Sequence, residues 1–236
     1  MKRGSIATVR LVASGAVLLL SSARAGAQSR LTLPPGAVSV IAASADHRVD
    51  TGAGLEQSAG PLFGAQLDLE PDDRVAFSLR ALGGTLNPQT AGAETRDVGE
   101  LSLTTRLDMV SWFRGTVTAL GRSYDGALAR QHWSELSLGG EGHGTLIDGI
   151  LDASVGVSLA PLVQVSGRQR PDLAVAGVAR LRHVGERLDL SLGYSLERYD
   201  FPSAGGARRF EELSMLVFRG GLRIGSRPHS APTPSR

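Results

Sequence analysis

One stretch, residues 187–198, constrains this chain more than any other, because apolar and polar residues alternate there without a break. Five apolar side chains occupy every second position, namely Leu188, Leu190, Leu192, Tyr194 and Leu196. Successive side chains of a strand point to opposite faces, so this period of two predicts a β-strand with one apolar and one polar face. A strand of roughly 9–11 tilted residues is long enough to cross a bilayer.

The same pattern recurs along the chain and predicts ten strands in one domain. The predicted strands are joined by four short connections and by five long ones, at 45–60, 85–97, 122–130, 160–171 and 199–208. Alternating loop lengths and an even strand count are typical of transmembrane barrels. The predicted fold is therefore all-β, an antiparallel up-and-down transmembrane β-barrel of about ten strands. Eight strands remain the alternative, because the first (37–44) is weakly patterned and the sixth (131–147) is long.

The N-terminal 27 residues have the composition of a secretory signal peptide. Lys2 and Arg3 precede an apolar run at 11–20, and small residues at 23–27 offer a cleavage site. The predicted organisation is a signal peptide over 1–27, a lead over 28–36, the barrel over 37–224 and a disordered tail over 225–236. Cleavage removes four of the 25 basic residues and none of the 23 acidic ones, so the mature net charge is about −2.

Composition also excludes several function classes. The arginines alternate with acids and no basic cluster lies beside aromatic residues, so no nucleic-acid partner is expected. The chain contains no cysteine, which rules out disulfides as a source of stability. No ligand spacing such as His-x-x-x-His occurs, and neither a metal nor a cofactor is predicted.

With these features the chain resembles bacterial outer-membrane β-barrel proteins as a broad class, over about Gly36 to Ile224. The resemblance implies a cell envelope of the Gram-negative type, a position in the outer membrane in contact with its lipid, and insertion by the barrel-insertion machinery. The chain departs from the class at one point. Many members end their last strand on an aromatic residue, whereas Leu222 and Ile224 hold those alternating positions here.

The two faces of the predicted strands define two sets of residues. Lumen-lining positions are predicted at Arg80, Glu100, Arg106, Asp108, Arg114, Glu135, Asp152, Arg180, Asp189 and Glu197. Lipid-facing positions are predicted at Leu101, Leu103, Leu107, Leu188, Leu190, Leu192, Tyr194 and Leu196. The inner charges are mixed in sign, which favours a salt-bridged, plugged or very narrow interior, since ten strands enclose little more than eight. The alternative is a narrow polar passage whose lining sets selectivity.

Three short connections fix expected pairings across strands. A three-residue turn at 110–112 places Asp108 opposite Arg114. An Asp-Gly turn at 148–149 places His143 opposite Ser154 and Leu146 opposite Leu151.

A turn at 184–185 places Arg180 opposite Asp189 and Arg182 opposite Arg187. In the last strand the apolar parity changes between Val217 and Phe218, which predicts a β-bulge at 219–221.

Only one inner group has the residue types of a hydrolase, namely His143, Ser154 and Asp152. Nucleophilic catalysis requires a serine within hydrogen-bond reach of a base that a third group orients. No oxyanion donor accompanies these residues, so no catalytic site is predicted. Asp46 and His47, in the first predicted long loop, are a second candidate for an exposed protease site.

Three functions are compatible with these patterns. The leading one is an outer-membrane barrel without catalysis, acting as a porin-like small-solute passage or as a structural, surface-exposed element. The second is a membrane-embedded hydrolase of lipid or peptide. The third is a soluble periplasmic barrel that binds an apolar ligand, in which Leu188, Leu190, Leu192 and Leu196 would line the cavity. Alternation alone does not say which face is inside.

Overall fold

A computed structural model describes residues 34–52, 54–127, 130–185, 187–204 and 207–225. The predicted signal peptide (1–27) and the tail beyond 225 lie outside the described residues. The strands are β1 (Gly36–Asp50), β2 (Leu55–Leu69), β3 (Val75–Pro88), β4 (Arg96–Val110), β5 (Phe113–Asp125), β6 (Arg130–Ile147), β7 (Leu151–Val165), β8 (Leu173–Val184), β9 (Leu188–Ala204) and β10 (Ala207–Ile224).

Each strand pairs with its neighbours in sequence, and β1 also pairs with β10, which closes the sheet into a barrel. All pairings are antiparallel, as in the β1–β10 and β1–β2 ladders. Closure leaves no free sheet edge. The prediction of an all-β up-and-down barrel is confirmed, with ten strands and not eight. In the part of the chain that the structure describes, no helix has the length and apolar character needed to cross a membrane.

The barrel has two ends. The turn end carries the connections at 70–74, 111–112, 148–150 and 185–187 together with both ends of the strand series, and the loop end carries the connections at 51–54, 89–95, 126–129, 166–172 and 205–206. The prediction of five long loops is wrong, because most of their residues belong to the strands. These segments keep the period of two, but their apolar side chains point inward, whereas those of the other half of each strand point outward. A prediction that follows one continuous apolar face therefore ends the strand too early.

One predicted hairpin register is confirmed, and a second is confirmed in part. Asp108 lies opposite Arg114, and the Arg114 Nε to Asp108 Oδ1 distance is 3.1 Å. His143 lies opposite Ser154, but Ile147 takes the place of Leu146 opposite Leu151. The connection at 148–150 has one residue more than the predicted turn, and Gly149 adopts a φ of 69° there. A backbone with positive φ favours glycine, which has no Cβ to clash.

The predicted β8–β9 register is wrong. Asp189 lies opposite Val184, Arg182 opposite Ser191 and Arg180 opposite Gly193. The strands are joined through 185–187, which shifts the pairing by an even number of residues. An even shift changes the partners but leaves every side chain on its face.

The predicted bulge at 219–221 is also wrong. β10 pairs without a shift from Phe210 to Ile224 along β1, and from Arg209 to Leu222 along β9. The change of parity is real, but it reflects two apolar faces. Met215 points inward and is buried, whereas Phe218 points outward and is exposed. The packed apolar residues of the barrel therefore lie inside its loop half.

Candidate functional site

The lumen is the candidate site, and its lining is divided along the barrel axis into layers of different chemistry. Nearest the turn end, Arg219 joins two carboxylates, with Nη1 2.7 Å from Asp68 Oδ2 and Nη2 3.1 Å from Asp189 Oδ1. Arg182 donates to Asp189 as well, and the Ser78 hydroxyl donates to Asp68. Asp189 is 0% exposed. This chain of ion pairs connects β2, β8, β9 and β10 through the interior.

The middle layer is centred on Arg122. Its Nε and Nη2 lie 2.9 and 2.7 Å from Glu100 Oε2, and Nη2 lies 2.8 Å from Glu197 Oε2. Arg80 Nη2 lies 2.6 Å from the other oxygen of Glu100. Such charge-assisted bonds are about twice as strong as neutral ones. Because Glu100 is on β4 and Glu197 on β9, Arg122 connects opposite walls of the barrel.

Aromatic and aliphatic side chains fill the loop half of the lumen. Trp133 packs against Tyr199 and Phe201, with ring centroids 4.8 and 6.1 Å apart. We call this packed set the loop-end plug; its buried members are Ala43, Ala45, Leu62, Leu86, Val98, Tyr124, Trp133, Val163, Val165, Ala174, Tyr199, Phe201, Leu213 and Met215. Aromatic pairs at these distances stabilise beyond their buried area.

Polar groups accompany the plug at its outermost level. His47 stacks on Tyr124 at 4.8 Å, and its Nε2 lies 2.8 Å from Glu211 Oε1. Arg168, in the 166–172 connection, donates to the other oxygen of Glu211 at 3.1 Å. Burial tends to raise the pKa of Glu211, but the hydrogen bond from His47 and the charges of His47, Arg168 and Arg96 hold that pKa below its ordinary value of 4.5.

The plug and the middle layer fill the lumen with buried side chains. Every strand contributes at least one buried inward residue at the level of the plug. Below it, Glu100 is 6% and Arg122 3% exposed. Charged groups that line an open pore are in contact with water, whereas these two are not.

A less densely packed part of the lumen lies below the middle layer, and we call it the turn-end chamber. Its lining side chains point inward and are only half-buried; they are Thr104, Arg106, Thr116, Thr118, Ser154, Ser158 and Arg180. Arg114 and Arg182, nearer the rim, are 24% and 30% exposed. The half-buried residues therefore extend to the turn end, whereas buried residues bound the chamber towards the loop end.

The ten residues predicted to line the lumen all point inward, but they fall into three groups. Arg80, Glu100, Glu135 and Glu197 belong to the middle layer, where the Tyr199 hydroxyl lies 2.7 Å from Glu135 and 3.0 Å from Glu197. Asp189 belongs to the ion-pair chain. The remaining five lie in the chamber or at its rim: Arg106, Asp108, Arg114, Asp152 and Arg180.

The eight residues predicted to face lipid all point away from the lumen and are exposed: Leu101, Leu103, Leu107, Leu188, Leu190, Leu192, Tyr194 and Leu196. The leucines of β9 therefore do not line a ligand cavity, which removes the basis of the soluble, ligand-binding alternative. On the described strands, outward charges lie nearer the loop end, where Arg48 pairs with Asp46 and Arg198 with Asp200 at 3.1 Å each. The hydrogen bond to Asp200 raises the pKa of Arg198.

The candidate hydrolase residues do not form a catalytic relay. His143 and Ser154 lie opposite each other, but the Ser154 hydroxyl hydrogen-bonds to Glu141. Asp152 accepts a hydrogen bond from Thr145 at 3.0 Å, and His143 Nε2 has no hydrogen-bond partner. Activation of a serine requires the base to hold its proton, and this contact is not made here.

The prediction that Asp46 and His47 share an exposed loop is wrong. Both belong to β1, so they point to opposite faces of the wall. Asp46 contacts Arg48 and Gln57 on the outer side, and His47 is 1% exposed inside the barrel. The two side chains cannot act on one substrate.

Sequence reasoning missed several of the most buried charges: Asp68, Arg122, Glu141, Glu211 and Arg219. Inward parity identifies Asp68 and Glu141 once their strands are drawn. Arg122 was placed in a predicted loop, and the predicted bulge obscured the face of Arg219. Among the described residues, no group of histidines and carboxylates is arranged to hold a metal ion.

Comparison with known proteins identifies the class of fold. No family model matches the chain, and no curated protein sequence matches it. The structure is similar to the outer-membrane protease OmpT from Escherichia coli, with a TM-score of 0.51 and 8% identity over 81% of this chain and 96% of that one. It is also similar to the translocator domain of the autotransporter NalP from Neisseria meningitidis (TM-score 0.41, 13% identity, 92% and 96% covered).

A third similar structure is Neisserial surface protein A (TM-score 0.35, 12% identity, 80% and 97% covered). The chain thus has the fold of bacterial outer-membrane β-barrel proteins, as its resemblance to that class implied. At these identities the similarity concerns the fold alone.

Proposed function

We propose that this protein is a non-catalytic outer-membrane barrel, closed to solutes in the state described, whose loop end stands above the membrane as a surface-exposed structural element. The observation that supports closure is the ring of buried inward residues at the plug, to which all ten strands contribute. In this proposal the turn end faces the periplasm, as the short turns of the class do.

The height of the barrel supports a projecting loop end. β2 has 15 residues, and at about 3.3 Å per residue and a tilt of about 40° it spans about 38 Å along the axis. An apolar band of about 25 Å leaves about 13 Å of wall outside the hydrocarbon. The outward ion pairs of Arg48 and Arg198 lie in this upper part of the wall.

A narrow small-solute passage is the second candidate, and one observation favours it. The side chains that line the turn-end chamber are only half-buried, so a path across the barrel needs mainly displacement of the plug and of the Arg122 ion pairs. Conduction would then depend on a second, open state.

Membrane fractionation and planar-bilayer recording test the proposal together. The protein is expected in the outer membrane, with different gel mobility before and after boiling, and without steady conductance. A triple variant, Trp133→Ala with Phe201→Ala and Arg122→Ala, is expected to introduce conductance, because it empties the plug and removes the Arg122 ion pairs. A soluble periplasmic protein would contradict the membrane assignment, and steady conductance of the wild type would contradict closure.

A further inference from the structure

Charged side chains of both signs line the turn-end chamber. Its inner part holds three arginines and three carboxylates: Arg106, Arg180, Arg219, Asp68, Glu141 and Asp189. Nearer the rim, Arg114 pairs with Asp108, Arg182 pairs with Asp189, and Asp152 accepts a hydrogen bond from Thr145. The arginines that these ion pairs leave out are therefore the candidates for a ligand.

Arg106 and Arg180 are the two cations that lack a carboxylate partner. Arg106 Nη1 donates to Ser78 Oγ at 2.6 Å, and Arg180 has no salt bridge or hydrogen bond with any residue in the described ranges. Their nearest carboxylates, Glu141 and Asp68, attract both guanidinium groups at longer range. Each of those carboxylates is already engaged by a serine hydroxyl.

The positive charges also repel one another. Arg106 and Arg219 both oppose the charge of Arg180, and Arg114 and Arg219 oppose that of Arg106. An enclosed charge without a partner is costly, and like charges held together add to that cost. A bound anion would reduce both the cost of the unpaired charges and the repulsion between the arginines.

The surroundings of these two arginines suit an oxygen-rich anion. Half-buried residues that carry hydroxyl groups line the same space: Thr104, Thr116, Thr118, Ser154 and Ser158. The residue opposite Arg180 on β9 is Gly193, so no side chain of that residue lies beside Arg180. Guanidinium groups present planar pairs of donors that match the oxygens of phosphate or carboxylate.

We propose that the turn-end chamber binds a small oxyanion, of which inorganic phosphate is the simplest, between the guanidinium groups of Arg106 and Arg180. The anion enters from the turn end, because the middle layer closes the other side. The chamber lies in the lumen, and the barrel wall separates it from the surrounding lipid. The ligand is therefore a free anion and not a lipid headgroup. The site goes beyond the proposed function and does not require the barrel to conduct.

Titration calorimetry with inorganic phosphate tests the site on the full barrel, purified in a zwitterionic detergent without lipid and at low chloride. The wild type is expected to bind phosphate, and Arg180→Gln and Arg106→Gln each to weaken binding at least about tenfold, the loss expected for a charge-assisted contact. Arg74→Gln, an exposed arginine in the 70–74 turn, removes the same charge at the same end and is expected to leave affinity within about twofold.

The result has a second readout that does not depend on the variants folding. Phosphate is expected to raise the unfolding temperature of the wild type more than chloride at equal ionic strength, since a ligand that binds only the folded state stabilises it. Absence of phosphate binding by the wild type overturns the proposal. Equal weakening by Arg74→Gln and Arg180→Gln also overturns it, because diffuse charge would then explain the affinity. Conductance measurements bear only on the proposed function, so the two can fail separately.

Discussion

The two halves of the barrel wall are reversed with respect to each other. In the turn half, charged residues such as Asp68 and Arg219 point inward, and apolar ones such as Leu192 point outward. In the loop half, Trp133 and Met215 point inward, and Arg48 and Arg198 point outward. A soluble protein has the second arrangement, and a wall in contact with lipid has the first. In the proposed function, the level of reversal is where the wall leaves the hydrocarbon.

Strand β10 shows both arrangements. Along β10, Met215 points inward and Glu212 outward, whereas a few residues further Phe218 points outward and Arg219 inward. The ladder does not shift between them. One strand can therefore have an apolar inner face in one half and an apolar outer face in the other without a change of backbone geometry. The period of two determines which residues share a face, but it does not determine which of the two faces is apolar.

The largest effect is expected from breaking the middle layer. Arg122→Met leaves Glu100 and Glu197 buried without their shared partner, which costs about 3–5 kcal/mol. Denaturant unfolding of the barrel in vesicles measures it. Arg130→Met removes an arginine that is 61% exposed and pairs with Asp125 near the loop end, and no resolvable change is expected there. Equal effects of the two variants would contradict the buried network.

Removal of plug volume should come next. Leu62→Ala creates a cavity at a residue that is 1% exposed, with an expected loss of about 2–5 kcal/mol. Its neighbour Phe63 points outward, so Phe63→Ala leaves no cavity and should destabilise the barrel less in the same unfolding assay. A larger loss for Phe63→Ala would argue against a packed interior.

The reversal itself is tested by placing one charge at two heights of the outer wall. Leu192→Arg, in the apolar half, is expected to cost about 2–4 kcal/mol in vesicles, whereas Leu55→Arg, near the loop end, is expected to cost about 0–1 kcal/mol. Both leucines are about half exposed. A similar loss of unfolding free energy for both variants would show that the outer face has the same surroundings in the two halves of the wall.

The smallest effect is a dependence of stability on pH at the outermost level of the plug. Because the pKa of Glu211 is lowered in the folded state, its contribution is fully present above its ordinary value of 4.5 and is lost as the pH falls through the folded value. Glu211→Gln is expected to remove that part of the pH profile of unfolding. An unchanged profile below pH 4.5 would show that His47 and Arg168 do not stabilise the ionised carboxyl.

Much of the fold followed from alternation alone, because the period of two specifies both the strand and the face of each residue. Alternation does not specify which residues pair across neighbouring strands. Alternation placed Arg182 and Asp189 on one face, but an even shift of register leaves the faces unchanged, so their ion pair could not be predicted. The loop-end plug was missed for a related reason, since Leu62, Trp133 and Leu213 continue the period with the opposite polarity.

Arg122 joins a carboxylate on β4 to one on β9, nearly across the diameter of the barrel. A sheet closed into a ring resists stretching around its circumference, but it flattens easily into an oval under lateral pressure from the surrounding lipid. Ion pairs that join opposite strands across the lumen oppose that flattening, because they keep the two strands at a fixed distance. The ion pairs that fill the middle of the lumen therefore also oppose flattening of the barrel.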